Sequence, residues 1–210
     1  MRSAAPGEDP GMEQPGEILT HSGPDLELRR RHPGDADVIH PVVMDSLEHL
    51  RPWMPWVAGY DYDSAVENAE RCDLEWRTGE AYHYAVVTEG QVVGCCSMMR
   101  RTGPGGLEIG YWISRRWTRR GLGRAAAATL LREAFTLPGV DHVEIHHDEA
   151  NAPSGAIPRG LGFTRVGARE RDEPLCPGES GVTVVWRMTR AQYLASRQPT
   201  RTTTADSGGR

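Results

Sequence analysis

The chain has 210 residues, 38% of them hydrophobic and 25% charged, the make-up of one ordinary globular domain with room for a core. Its 24 basic and 29 acidic residues leave a net charge of −5, which argues against a nucleic-acid binder. All 24 basic residues are arginine, so a Walker A phosphate loop, a Schiff-base lysine and the strand lysine of a kinase are excluded together, since each needs an amine side chain.

Residues 1–24 interleave Pro6, Pro10, Pro15 and Pro24 with four glycines, and residues 197–210 are rich in threonine and glycine. Neither stretch has the apolar content to repay ordering, so both are expected to be flexible tails around a domain at 25–196. No window approaches the ~18 apolar residues of a membrane span, and no apolar signal core opens the chain. Cys72, Cys95, Cys96 and Cys176 show no CxxC spacing and read as free thiols. A cytoplasmic protein is expected.

Between the tails the pattern alternates. Residues 26–31 read as a first strand. Asp35 opens a helix whose apolar stripe is Val38, Val42, Val43, Leu47 and Leu50. Pro52 and Pro55 break the chain, and Asp63 is the expected N-cap of a second helix carrying Ala65, Ala69, Cys72, Leu74 and Trp76. Strands at 82–88 and 92–100 flank a Glu89-Gly90 hairpin turn. A strand at 107–113, a helix at 121–135, a strand at 143–147 and a helix at 152–161 follow. A closing strand pair at 163–169 and 182–188 completes an α/β (α+β) domain. Its expected core is a mixed, mostly antiparallel sheet of about seven strands with helices on both faces and one parallel crossover.

The stretch 107–135 is the most informative. Gly121-Leu122-Gly123 opens a helix, and such an N-terminus offers unpaired N–H groups and a positive dipole end to phosphate. Arg115, Arg116, Arg119, Arg120 and Arg124 surround it, and no acid occurs between Glu108 and Glu133. A polyanionic ligand fits this island, and a solvated arginine surface around a plain turn fits it too. Gly121-x-Gly123-x-x-Ala126 also matches a dinucleotide fingerprint, with Asp148 downstream. Seven residues separate this turn from its strand, however, and repeated βαβ units are missing.

The segment resembles the acetyl-CoA-binding motif R/Q-x-x-G-x-G/A of the GNAT acetyltransferase superfamily, with Gly121 and Gly123 at its glycines and Thr118 replacing the first residue. Residues 50–56 (LRPWMPW), 108–112 (EIGYW) and 151–163 (NAPSGAIPRGLGF) are similar to the RimJ/RimL-type branch that acetylates ribosomal-protein N-termini. The likeness spans about 26–188. It implies direct transfer of acetyl from acetyl-CoA to a primary amine on a protein or peptide N-terminus or a small molecule, in a monomer or homodimer. It also implies backbone contacts from Trp112, Ile113 and Ser114 to pantetheine, with Ile113 N–H as oxyanion donor. Amides of Arg119, Arg120, Gly121, Leu122, Gly123 and Arg124 would hold the pyrophosphate.

For the proton acceptor the candidates are Glu108, in phase with Gly110 and Trp112, and Glu173, after the sixth strand. Each also fits a structural or surface acid. Ser154, three residues after Asn151, is the candidate acid, with no tyrosine nearby in sequence; Asn151 and Ser154 also fit a plain helix cap or contact with the pantetheine arm. Trp53 and Trp56 would roof the acceptor side or join the core. His142, His146 and His147 form no metal spacing, so no metal is expected. Other readings are a non-catalytic acyl-CoA-binding module and an acetyltransferase of an antibiotic or metabolite amine.

Overall fold

Glu89 and Gly90 take positive φ values of 50° and 72° in the computed structural model, which describes residues 13–23, 25–172 and 176–197. They turn β3 (Ala81–Thr88) into β4 (Gln91–Met99) with the two-residue geometry that suits strand twist. β1 (Ile18–Thr20) and β2 (Glu27–Arg30) extend the sheet on one side. β5 (Gly106–Ile113), β6 (His142–Asp148), β7 (Thr164–Glu170) and β8 (Val182–Thr189) extend it on the other. The order is β1-β2-β3-β4-β5-β6-β8-β7, antiparallel at every step except β5–β6.

Eight strands, not about seven, appear among the described residues. The addition is β1, drawn from a stretch that composition assigned to the flexible tail. Local contacts override composition there. Leu19 is buried in the main core, Trp76 Nε1 donates to Gln14 Oε1 (3.1 Å), and Tyr84 OH donates to the Gly16 carbonyl (2.9 Å).

The first helix is divided. α1 (Ala36–Met44) stops at Asp45, and α2 (Leu47–Leu50) restarts after Ser46, whose hydroxyl accepts from Arg115 N–H (3.3 Å). Ile39 and Val43 take the buried stripe, while Val38 faces solvent. α3 (Tyr62–Thr78) is capped by Asp61 instead of Asp63, because Asp61 Oδ1 accepts from Ser64 N (2.8 Å). That start phases Ala65, Ala69, Cys72 and Trp76 inward and leaves Leu74 52% exposed.

α4 (Leu122–Ala134) makes the single parallel crossover, followed by α5 (Ala152–Gly160) and α6 (Arg190–Ser196). α4 buries Ala126, Leu130 and Ala134 in one core with Leu107, Ile109, Val143 and Ile145, while α1 packs Ile39 and Val43 on the opposite face with Cys95. Cys95 and Cys96 fall into different cores, as strand alternation requires, and all four cysteines are free thiols. Among the described residues, no helix is long and apolar enough to cross a membrane.

One irregularity positions the site. β5 and β6 pair only at Gly106↔His142, Leu107↔Val143 and Glu108↔Glu144. Beyond that, β5 stays with β4 as far as Ile113, and β6 stays with β8 as far as Asp148. The parallel pair splays into a wedge.

Candidate active site

The wedge exposes main chain. Ser114 N–H donates to Val93 O (2.7 Å), and antiparallel alternation sends every second amide of β5 toward β4. Trp112 therefore also faces β4, and its carbonyl lies so close to Gly94 that a Cβ there would stand 2.2 Å away. Ile109, Tyr111 and Ile113 turn the other way, toward a strand that has departed. Of the three residues expected to offer backbone to a pantetheine arm, only Ile113 faces the wedge; Trp112 and Ser114 are committed to β4.

Past the wedge, Arg119 (φ 63°) and Gly121 (φ 79°) take left-handed backbone to swing the chain into α4. The two glycines do different things. A Cβ on Gly121 would meet nothing within 4 Å, so that glycine serves conformation. A Cβ on Gly123 would sit 3.3 Å from Ile157 Cδ1 and 3.7 Å from Ile113 Cγ1, so that glycine keeps open the space between β5 and α5. Leu122 anchors the turn in the core, and no side chain caps α4, so its first-turn N–H groups lack an intrahelical acceptor. The arginine island is partly occupied: Arg116 pairs with Asp45 (3.1 Å), Arg120 lies over Trp117, and Arg124 donates to Gly160 O (2.8 Å). Arg119 and Arg120 are exposed. Thr118 donates its hydroxyl back to Arg115 O (2.9 Å).

On the far wall of the wedge, Asn151 caps α5 by accepting from Ser154 N (3.2 Å). Tyr111 OH donates to Ser154 O (3.2 Å) and lies 3.4 Å from Ser154 Oγ. No tyrosine is near Ser154 in sequence, but strand-to-helix packing supplies one. Burial pushes the Tyr111 phenol up to about 12, so it keeps its proton at any physiological pH. The signal that could have found it is its phase: Tyr111 alternates with Ile109 and Ile113, on the face where a helix following the parallel crossover must pack.

β5 borders an open cavity of about 1040 Å³, lined by Glu108, Tyr111, Trp112, Asn151, Ser154, Trp53 and Trp56. Glu108 is 6% exposed and clamped by Arg101 through Nε (2.8 Å) and Nη2 (2.5 Å). His146 Nδ1 lies 3.2 Å from the same carboxylate, and its Nε2 is 2.6 Å from Glu144, which Arg187 holds in turn (2.8 and 2.5 Å). Burial pushes the Glu144 carboxyl up, but hydrogen bonds from His146 and Arg187 outweigh it and hold it below the ordinary range. His147 points the other way, accepting from Trp186 Nε1 (3.0 Å).

Trp56 is tilted over Trp112 with ring centres 6.2 Å apart, and Trp53 packs beside Gly178. Glu173 lies outside the described residues; its neighbours Glu170 and Asp172 line the cavity. Among the described residues, no three His, Cys, Asp or Glu side chains are grouped to hold a metal ion. The arrangement can grip an elongated anion at one end and present its other end to a nucleophile arriving through the cavity.

Residues 25–164 match the family model described as acetyltransferase (GNAT) domain. The candidate ribosomal N-acetyltransferase YdaF of Bacillus subtilis (strain 168) is 24% identical over 151 residues, 68% of this chain and 79% of that protein. Among solved structures, RimL, a ribosomal L7/L12 alpha-N-protein acetyltransferase in complex with coenzyme A, superposes with a TM-score of 0.76 at 19% identity. That match covers 84% of this chain and 99% of RimL. Mycobacterium smegmatis RimJ in complex with CoA-disulfide gives 0.73 at 23% identity, covering 83% and 87%.

Proposed function

The chain belongs to the acetyltransferase (GNAT) domain family, and from that premise we propose that it transfers acetyl from acetyl-CoA to the α-amine of a protein or peptide N-terminus. The observation that carries this reading is the splayed β5–β6 pair ending beside an uncapped helix start. Amides of residues 119–124 hold the pyrophosphate, and the open edge of β5 receives the pantetheine. The relatives' names point to a ribosomal protein as the acceptor.

The amine nitrogen attacks the thioester carbonyl, and the oxyanion is met by Ile113 N–H. Collapse breaks the carbon–sulfur bond, and the leaving thiolate takes a proton from the Tyr111–Ser154 pair. An α-amine near pKa 8 costs only roughly 1.4 kcal/mol to deprotonate at pH 7, against about 4.6 kcal/mol for a lysine near 10.4. A weak base therefore suffices. Glu108, hydrogen-bonded by Arg101, accepts the proton through water, with Glu173 as the second carboxylate proposed for that step. Trp53 and Trp56 wall the acceptor's path.

Calorimetry with acetyl-CoA and a free-thiol assay on peptides with open N-termini test this reading; an absence of saturable heat would overturn it. Tyr111→Phe is expected to lower kcat about a hundredfold while leaving acetyl-CoA affinity within a few fold, and Ser154→Ala less so. Equal kcat in the Tyr111→Phe/Ser154→Ala double variant and the wild type would remove the pair from the chemistry.

A further inference from the structure

Arg31 lines the same cavity, and among the described residues no carboxylate lies within ion-pair distance of it, Asp35 acting on it only from farther away. It follows β2 and is only 6% exposed. Nη1 donates to Asn68 Oδ1 (2.8 Å) and Cys72 Sγ (3.1 Å), while Nε is buried with no hydrogen-bond partner among the described residues. The acids around it are taken. Asp35 is held by Arg29 through both oxygens (2.7 and 3.2 Å), and Glu75 by His83 (2.5 Å). Burial pushes the thiols of Cys72 and Cys95 up, Cys95 to about 11, so neither offers a negative charge. A guanidinium removed from water without a hydrogen-bonded carboxylate is costly, and the distant field of Asp35, already engaged by Arg29, answers it only in part. Its open side faces the cavity, from which an anion can arrive.

The sheet fixes the distance. Arg31 N–H donates to His83 O, His83 pairs with Ser97, and Ser97 pairs with Gly110 at the wedge. Three strand steps of ~4.8 Å across the sheet, and three residues of ~3.3 Å from Gly110 on to Ile113, put the Arg31 backbone roughly 17 Å from the proposed oxyanion donor, about five residues of extended peptide less the reach of the arginine side chain. We propose that Arg31 binds a carboxylate carried by the acceptor within its first four residues, so that the preferred acceptor is an acidic N-terminal segment. This deepens the acetyl-transfer reading and rests on it. The net charge of −5 taken alone favours a cationic acceptor; the buried guanidinium, with no ion-paired carboxylate among the described residues, reverses that preference inside the cavity.

The test is calorimetry on the protein saturated with coenzyme A. The titrants are peptides with free N-termini and amidated C-termini, with Asp stepped through positions two, three and four against Asn counterparts. At one position the Asp peptide is expected to bind about tenfold or more tightly than its Asn partner, the size of a charge-assisted hydrogen bond. That ratio should fall to near one in both Arg31→Gln and Arg31→Met, with coenzyme A affinity unchanged. Two variants guard against a folding artefact, and each is checked by its Tm. No Asp preference at any position, or a preference that survives both substitutions, would overturn the assignment while leaving acetyl transfer intact. Loss of coenzyme A binding by the wild type would instead sink the transferase reading.

Discussion

Gly123→Leu is expected to lower coenzyme A affinity by about a hundredfold or more while the protein keeps its fold. A Cβ at that position already stands 3.3 Å from Ile157 and 3.7 Å from Ile113, so a longer side chain has only the wedge to enter. Two charge-assisted bonds to phosphate, each worth about 1.5–3 kcal/mol, would be lost with the displaced ligand. Gly121→Ala should behave in the opposite way. Its Cβ meets nothing within 4 Å, but a φ of 79° costs a side-chain-bearing residue roughly 1 kcal/mol. The expected result is a Tm lower by a few degrees with affinity little changed. Calorimetry and thermal melts on the pair check both; blocked binding in Gly121→Ala and normal binding in Gly123→Leu would refute the division of labour.

Asp148→Ala is expected to cost the largest amount of stability, about 3 kcal/mol. Asp148 Oδ1 accepts from Ala150 N (2.9 Å), Ser180 N (2.8 Å) and Ser180 Oγ (2.9 Å), and Oδ2 accepts from Gly181 N (3.0 Å). One buried carboxylate thus ties the end of β6 to the chain entering β8. Removing it strands several donors at about 1–3 kcal/mol each, less what water recovers. For a chain of this length that corresponds to a Tm lower by roughly 6–12 °C. Burial pushes the Asp148 carboxyl up, but backbone and hydroxyl donors outweigh it and hold it below its ordinary value. Its contribution is therefore present above the unfolded pKa near 3.9 and is lost as pH falls through the lower folded value. Melts between pH 7 and pH 3 should show wild-type stability falling at the acid end and a shallower fall in Asp148→Ala. Parallel curves would contradict this.

Gly121 and Gly123 were legible in the sequence because their requirements are local: a left-handed turn, and an approach too close for a side chain. The α4 stripe and the Glu89-Gly90 turn were legible for the same reason. Tyr111 beside Ser154 was not, since 43 residues separate them and only the packing of α5 beside β5 brings them together. The chain Arg101–Glu108–His146–Glu144–Arg187 needs the parallel register Glu108↔Glu144, which no spacing announces. Arg31 sits in a run of three arginines whose neighbours find acids, Arg29 with Asp35 and Arg30 with Glu17 and Asp73. Nothing in the run distinguishes Arg31, which among the described residues has no carboxylate within ion-pair distance. The start of α3 shifted because two aspartates compete for one cap, and the strand before β2 was masked by the prolines and glycines around it.

The parting of β5 from β6 also leaves a sheet edge inside the molecule, where the backbone of Tyr111 and Ile113 faces no paired strand among the described residues. If acetyl-CoA binds as proposed, its pantetheine arm, with its own two amides, lies along that edge as an added strand, and the ligand-bound protein is then the more complete sheet. Occupancy and folding are then the same event seen from two sides: each tenfold of ligand above its dissociation constant adds about 1.4 kcal/mol to the folded state. In a cell, the acyl-carrier supply would set how long this protein survives unfolding as well as how fast it works.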